Sequence, residues 1–219
     1  MNLPYTIKLK SSTIYVLKHL GFSYCAVFGI LMIYNILLKI FPEYLQHTSE
    51  IKASFNSKMS GKNLSFLFFS TVIIAPVMEE LIFRIGITKR KRNFYILLLA
   101  TLIYLSLAII QGKYVFSLAV SIFSISQYLL YRFFGNDKNY FSISIIFSAI
   151  YFGLIHIFNF NHDLMRNVFS YAVMILPLMV FGFAFGKTRV KLGVGYAILA
   201  HMILNFIGFM SSNFFKLLF

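Results

Sequence analysis

Residues 75–84, APVMEELIFR, place two carboxylates and a guanidinium inside a run that is otherwise apolar, between LSFLFFSTVII and IGI. An ionised side chain at mid-membrane costs about 2.5–3.5 kcal/mol on insertion scales, so such groups mark functional sites by default. Glu80 and Arg84 lie four apart on one helical face, acid first, the favoured order for an ion pair. Glu79 points about 100° away from Glu80. One carboxylate is thereby neutralised and the other is left to face a cavity. A general base needs that freedom, because burial and neighbours set its pKa. Taken alone, the pair is equally a transporter's ion site, or two acids that bridge helices through cations.

Two further apolar segments carry polar side chains at helical spacing. SAIYFGLIHIFNF (148–160) presents Phe152 and His156 on one face, and GYAILAHMILNFIG (195–208) presents His201 and Asn205 on one face. A lone helical histidine is more often a hydrogen-bonded core residue than a catalyst. Here three separate helices present a carboxylate, an imidazole, and an imidazole with an amide. Buried polar groups need partners, and mutual convergence supplies them.

The elements that must position these groups follow from composition. The chain has 219 residues, 59% hydrophobic and 12% charged, with mean hydropathy +0.80. Soluble domains are about 45–50% apolar and about a quarter charged. The expected fold is all-α, a polytopic transmembrane helical bundle of about seven spans, with six or eight as alternatives. The spans fall near 20–40, 64–86, 94–111, 114–134, 141–160, 168–186 and 192–210. A closed barrel would show short alternating segments instead. Residues 1–63 form an N-terminal segment with the first span and a long polar connection, 41–63, with room for a short surface helix. Residues 64–219 form the transmembrane domain that holds the polar motifs. Pro76 is expected to kink its helix.

The formal charge of +14 has a membrane explanation. Twelve of the nineteen Lys and Arg residues that flank spans fall on one side: the N-terminus, KRKR (89–92), Arg132, Lys138, Lys187, Arg189 and Lys191. That bias predicts a multi-pass protein with a cytosolic N-terminus. No basic groove interleaved with aromatics points to nucleic acid. The Lys-, Ile- and Phe-rich, Trp-free composition suits the inner membrane of an AT-rich bacterium. The single Cys25 excludes a disulfide framework and a Cys-based zinc site. No small-residue cleavage site follows the first apolar segment, which reads as an uncleaved span. Asn35 and Gln127 are expected to hydrogen-bond between helices.

In order along the chain, EExxxR (Glu79, Glu80, Arg84), FxxxH (Phe152, His156) and HxxxN (His201, Asn205) resemble the motifs of the CPBP family, also called Abi. That family comprises intramembrane CAAX-type endopeptidases and bacteriocin-processing or immunity proteins, and the resemblance covers about 64–210. It implies Glu79 as the base that activates water and His156 as the residue that positions the water or the scissile bond. It implies His201 and Asn205 as stabilisers of the oxyanion, where one donor in a dry site is worth about 2.7–4 kcal/mol. Glu80, Arg84 and Phe152 support the site.

The expected function is an endopeptidase acting on leader-bearing peptides or C-terminal segments of membrane-associated proteins. The alternative is a non-catalytic immunity-type or peptide-binding protein of the same family. A transporter would need a trail of carboxylates, and none exists outside Glu79 and Glu80. With no HExxH, a metal-free mechanism is favoured. If zinc is used, Glu79, His156 and His201 supply three ligands and an open fourth position. Two departures from the family pattern stand out. Ile85, not glycine, follows Arg84, and Glu79 and His156 are 77 residues apart, with two extra spans between them. Two extra crossings preserve the relative direction of the motif helices, but the expected span limits set Glu79 toward the predicted cytosolic end and His156 toward the opposite one.

Overall fold

The protein is described by a computed structural model over residues 5–40, 42, 63–159 and 168–218. Helix α1 covers Tyr5–Ile40. A continuous rod follows, made of α2 (Leu64–Phe68), a π-helical segment (Phe69–Ile74) and α3 (Ala75–Phe83). Then come α4 (Lys91–Ile110), α5 (Tyr114–Phe134) and α6 (Tyr140–Ile155), the last running into a 3₁₀ turn at His156–Asn159. Helices α7 (Val168–Leu192) and α8 (Val194–Leu218) complete the chain. Among the described residues there is no strand, and seven helical stretches are long and apolar enough to cross a membrane. This is the all-α, multi-pass bundle expected from composition. The long connection, with Glu43 and Glu50, and the loop holding Asp163 lie outside the described residues.

Three span limits differ from the expected ones, each for a packing reason. Helix α1 begins at Tyr5 rather than near 20, so Lys8, Lys10 and Lys18 lie on a helix. Its early turns bury Val16 and Leu20 against Phe181, Phe185 and Ala200. The basic residues Lys187, Arg189 and Lys191 lie in the last turns of α7, not in a loop. Cations are favoured at a helix C-terminus. The loop itself shrinks to Gly193, whose φ of +106° costs glycine no Cβ clash.

The third difference shapes the site. Helix α3 stops at Phe83, yet the chain does not leave the interior. Residues 82–88 are all buried, with Ile87 only 1% exposed. Irregular backbone at this depth must have its polar groups satisfied from within. The Ile85 N–H donates to the Glu80 carbonyl, and the Ile87 N–H to the Arg84 carbonyl. Side chains of α6 do the rest: Ser148 donates to the Phe83 carbonyl at 2.6 Å, and the Tyr140 hydroxyl reaches the Gly86 and Thr88 carbonyls. Helix α6 therefore runs beside the unwound stretch for its first half and meets α3 only with its second. This removes the mismatch in depth between Glu79 and His156.

The extra spans α4 and α5 pack on α3 and α6 without separating them. Phe123 lies 4.9 Å from the Phe83 ring and stacks on Phe147, while the Tyr151 hydroxyl donates to the Ala119 carbonyl. One core cluster joins Ile82, Phe83, Phe152 and Ile155 to Ala100, Val120 and Phe123 of the added pair. Neither amide expected to link helices does so. Asn35 is exposed and donates to Leu31 one turn back in its own helix. Gln127 is wholly buried with neither amide atom paired. It packs close to Gly86, whose carbonyl is already taken by Tyr140.

Candidate active site

Glu80 is the buried anchor. Its Oε1 accepts from His201 Nδ1 at 3.0 Å, and its Oε2 lies 3.8 Å from Arg84 Nε. Both Glu80 and Arg84 are fully buried. The expected Glu80–Arg84 pair forms, but as an ion pair beyond hydrogen-bond length, and the carboxylate also grips a histidine. Arg84 compensates elsewhere. Its Nη2 donates to the Gly182 carbonyl at 3.3 Å, and its guanidinium carbon stands 4.5 Å from the Phe152 ring centre. A desolvated cation over an aromatic face is stabilised by about 2 kcal/mol. The close approach requires Gly182: a Cβ there would sit 3.0 Å from Arg84 Nη2 and 3.1 Å from Phe152 Cδ1. Arg189 Nε closes the cap by donating to the Arg84 carbonyl at 3.2 Å.

Glu79, on the neighbouring face, keeps 22% exposure. Its Oε1 lies 4.0 Å from His156 Nε2 and its Oε2 lies 3.6 Å from His201 Nε2. Each histidine is oriented through its other ring nitrogen. His156 Nδ1 lies 2.6 Å from the Phe152 carbonyl, which only accepts, so Nδ1 carries the proton. His201 Nδ1 likewise faces the Glu80 carboxylate. Each ring therefore turns its Nε2 toward Glu79. The rings are held by aromatic contacts: Phe185 stacks on His201 at 4.5 Å and 19°, and Phe152 meets both histidines edge-on.

The structure thus brings Glu79, Glu80, Arg84, Phe152, His156 and His201 into one cluster drawn from α3, α6 and α8. Asn205 lies one turn beyond His201 on α8. Its Nδ2 donates to the Thr71 main-chain carbonyl at 2.8 Å, in the π-helical segment. The disruption expected from Pro76 takes this form: Pro76 opens α3, and the helix widens just upstream of it. Phe185, Gly182, Arg189 and Thr71 were not expected from the motifs. Only Gly182 had a signal, the FGFAFG spacing of small residues that lets membrane helices approach closely.

Two imidazoles anchored through Nδ1 and a carboxylate are zinc-type donors. Among the described residues, however, no group of three His, Cys, Asp or Glu side chains is spaced to hold an ion. The residues as placed do not fit the three-ligand zinc site, and no chemical step is assigned to a metal.

No curated protein and no solved structure matches the chain. A family model does match, over residues 61–207: the Rce1-like family of type II CAAX prenyl endopeptidases. The match takes in every motif residue and agrees with the CPBP resemblance read from the motifs. With residues 61–207 matched, more than half of its length, this multi-pass membrane protein belongs to the Rce1-like type II CAAX prenyl endopeptidase family.

Proposed function

We propose that the chain is an intramembrane endopeptidase in which Glu79 activates water to hydrolyse a peptide bond of a membrane-associated peptide or protein. The supporting observation is the make-up of the Glu79 cluster. Glu79 stands 3.6–4.0 Å from the Nε2 atoms of two imidazoles, each ring held through its other nitrogen. A water held between them has a base in Glu79 and hydrogen-bonding partners in the two imidazoles. Glu79 takes one proton as the water oxygen attacks the carbonyl carbon. His156 holds the second O–H in line. His201 Nε2, 3.6 Å away, then takes that proton from Glu79, which returns to the carboxylate, and is stabilised as an imidazolium by the Glu80 carboxylate, in the manner of other carboxylate–histidine pairs. It then donates from Nε2 to the oxyanion, and the proton passes to the amide nitrogen as the C–N bond breaks.

The basic ends of α1, α4, α5 and α7 support a cytosolic N-terminus, which we adopt for a bacterial inner membrane. The test is cleavage of a membrane peptide reporter by purified protein and by Glu79→Gln. Loss of cleavage with normal insertion is expected, whereas full cleavage by the variant removes the base. A variant and wild type that both bind the reporter and never cut it would favour the immunity-type alternative. Cleavage should also persist through exhaustive chelation, and a loss restored by zinc alone would reverse the metal-free assignment.

A further inference from the structure

We infer that Asn205 is a positioning residue for Glu79, its amide replacing the main-chain donor that Pro76 removes from the glutamate-bearing helix. The stretch Phe69–Ile74 is π-helical, the winding in which an N–H reaches the carbonyl five residues back. The Ala75 N–H follows this pattern and bonds to the Ser70 carbonyl. The next donor in line would serve the Thr71 carbonyl, and it falls on Pro76, which has no N–H. The Thr71 hydroxyl offers no help, being bonded to the Leu67 carbonyl at 2.6 Å. Asn205 Nδ2 supplies the donor at 2.8 Å, from another helix.

This contact bears on Glu79 through helix rotation. The wide turn absorbs one residue, so the eight positions from Thr71 to Glu79 wind through about two turns, and both meet α8. Asn205 lies one turn beyond His201 on α8. Helix α8 therefore grips the glutamate-bearing rod at two heights, His201 at the carboxylates and Asn205 at Thr71. The hold at Thr71 adds a grip far from those at Glu80, Phe83 and Arg84, and so resists twisting of the rod along its length. The 3.6 Å separation of His201 from Glu79 depends on that rotation. The family resemblance gives Asn205 to the oxyanion, whereas the geometry gives its amide to the backbone.

The two assignments separate in a double-mutant cycle. In Pro76→Ala, residue 76 regains an N–H for the Thr71 carbonyl, and Asn205 becomes dispensable. The activity readout rests on the endopeptidase reading, but the stability readout does not. Wild type, Asn205→Ala, Pro76→Ala and the double variant are compared for kcat and KM on a membrane peptide reporter, and for melting temperature in detergent. Asn205→Ala alone should lower kcat by about 10²-fold with KM little changed, the size expected from a small misplacement. It should also melt a few degrees lower. In the Pro76→Ala background both losses should shrink, with kcat within about threefold of the single Pro76 variant. An undiminished kcat loss in both backgrounds would put the amide on the reacting carbonyl and overturn the proposal. If wild type cuts nothing, the protease reading falls, yet the melting cycle still decides the clamp, since strictly additive losses refute it. Should Pro76→Ala not accumulate, Pro76→Leu restores the same N–H.

Discussion

The two faces of α3 hold chemically identical side chains in opposite circumstances. On one face Glu80 is fully buried, gripped by His201 Nδ1 and paired with an equally buried Arg84. On the other, Glu79 retains 22% exposure and stands 3.6 and 4.0 Å from two imidazole nitrogens, beyond hydrogen-bond length. A buried charge is tolerated when its partner is fixed, and a working base is useful when its partner is not. The adjacent pair meets both demands with about 100° of helical rotation between them. The difference also explains why Arg84 needs the Gly182 carbonyl and the Phe152 ring. With Glu79 turned to the other face, the ion pair to Glu80 at 3.8 Å does not satisfy a guanidinium by itself.

That contrast breaks most sharply at Glu79. Glu79→Gln should cut cleavage of a membrane peptide by about 10²–10⁴-fold, the usual span for a general base, while folded yield stays near wild type. Glu80→Gln should do the reverse in kind. It strands a buried guanidinium, a defect of about 3–5 kcal/mol, and should appear as lost folded protein in size-exclusion profiles. A well-folded but inactive Glu80→Gln would mean the two carboxylates are assigned the wrong way round. A smaller effect is expected at Gly182→Ala, where a methyl group presses on Arg84 and Phe152. Overpacking of this kind costs about 1–3 kcal/mol and should lower the melting temperature without abolishing cleavage.

Much of this was legible in the sequence because helical spacing is a strong constraint. The i,i+4 pairs placed Glu80 with Arg84 and Phe152 with His156, and the apolar runs gave seven spans. What escaped the sequence were features decided by main-chain hydrogen bonding. The arrest of α3 at Phe83 depends on Ser148 and Tyr140, two residues from an apolar run more than fifty positions away. The partner of Asn205 is a carbonyl, which has no side-chain signature, and only Pro76 hints that one would be short of a donor. The role of the added spans was equally hidden. Their aromatic contacts with Phe83 and Tyr151 make them a brace behind the site, a placement that spacing alone does not encode.

The unwound stretch from Arg84 to Thr88 works as a stopper. It packs the bundle shut on the side of the 89–92 basic cluster, where every residue from Ile82 to Thr88 is buried, whereas Glu79 and His156 keep 22% and 17% exposure. On the proposed protease reading, a substrate does not reach Glu79 through that packed end and enters from the end where the glutamate-bearing rod begins, or sideways from the lipid.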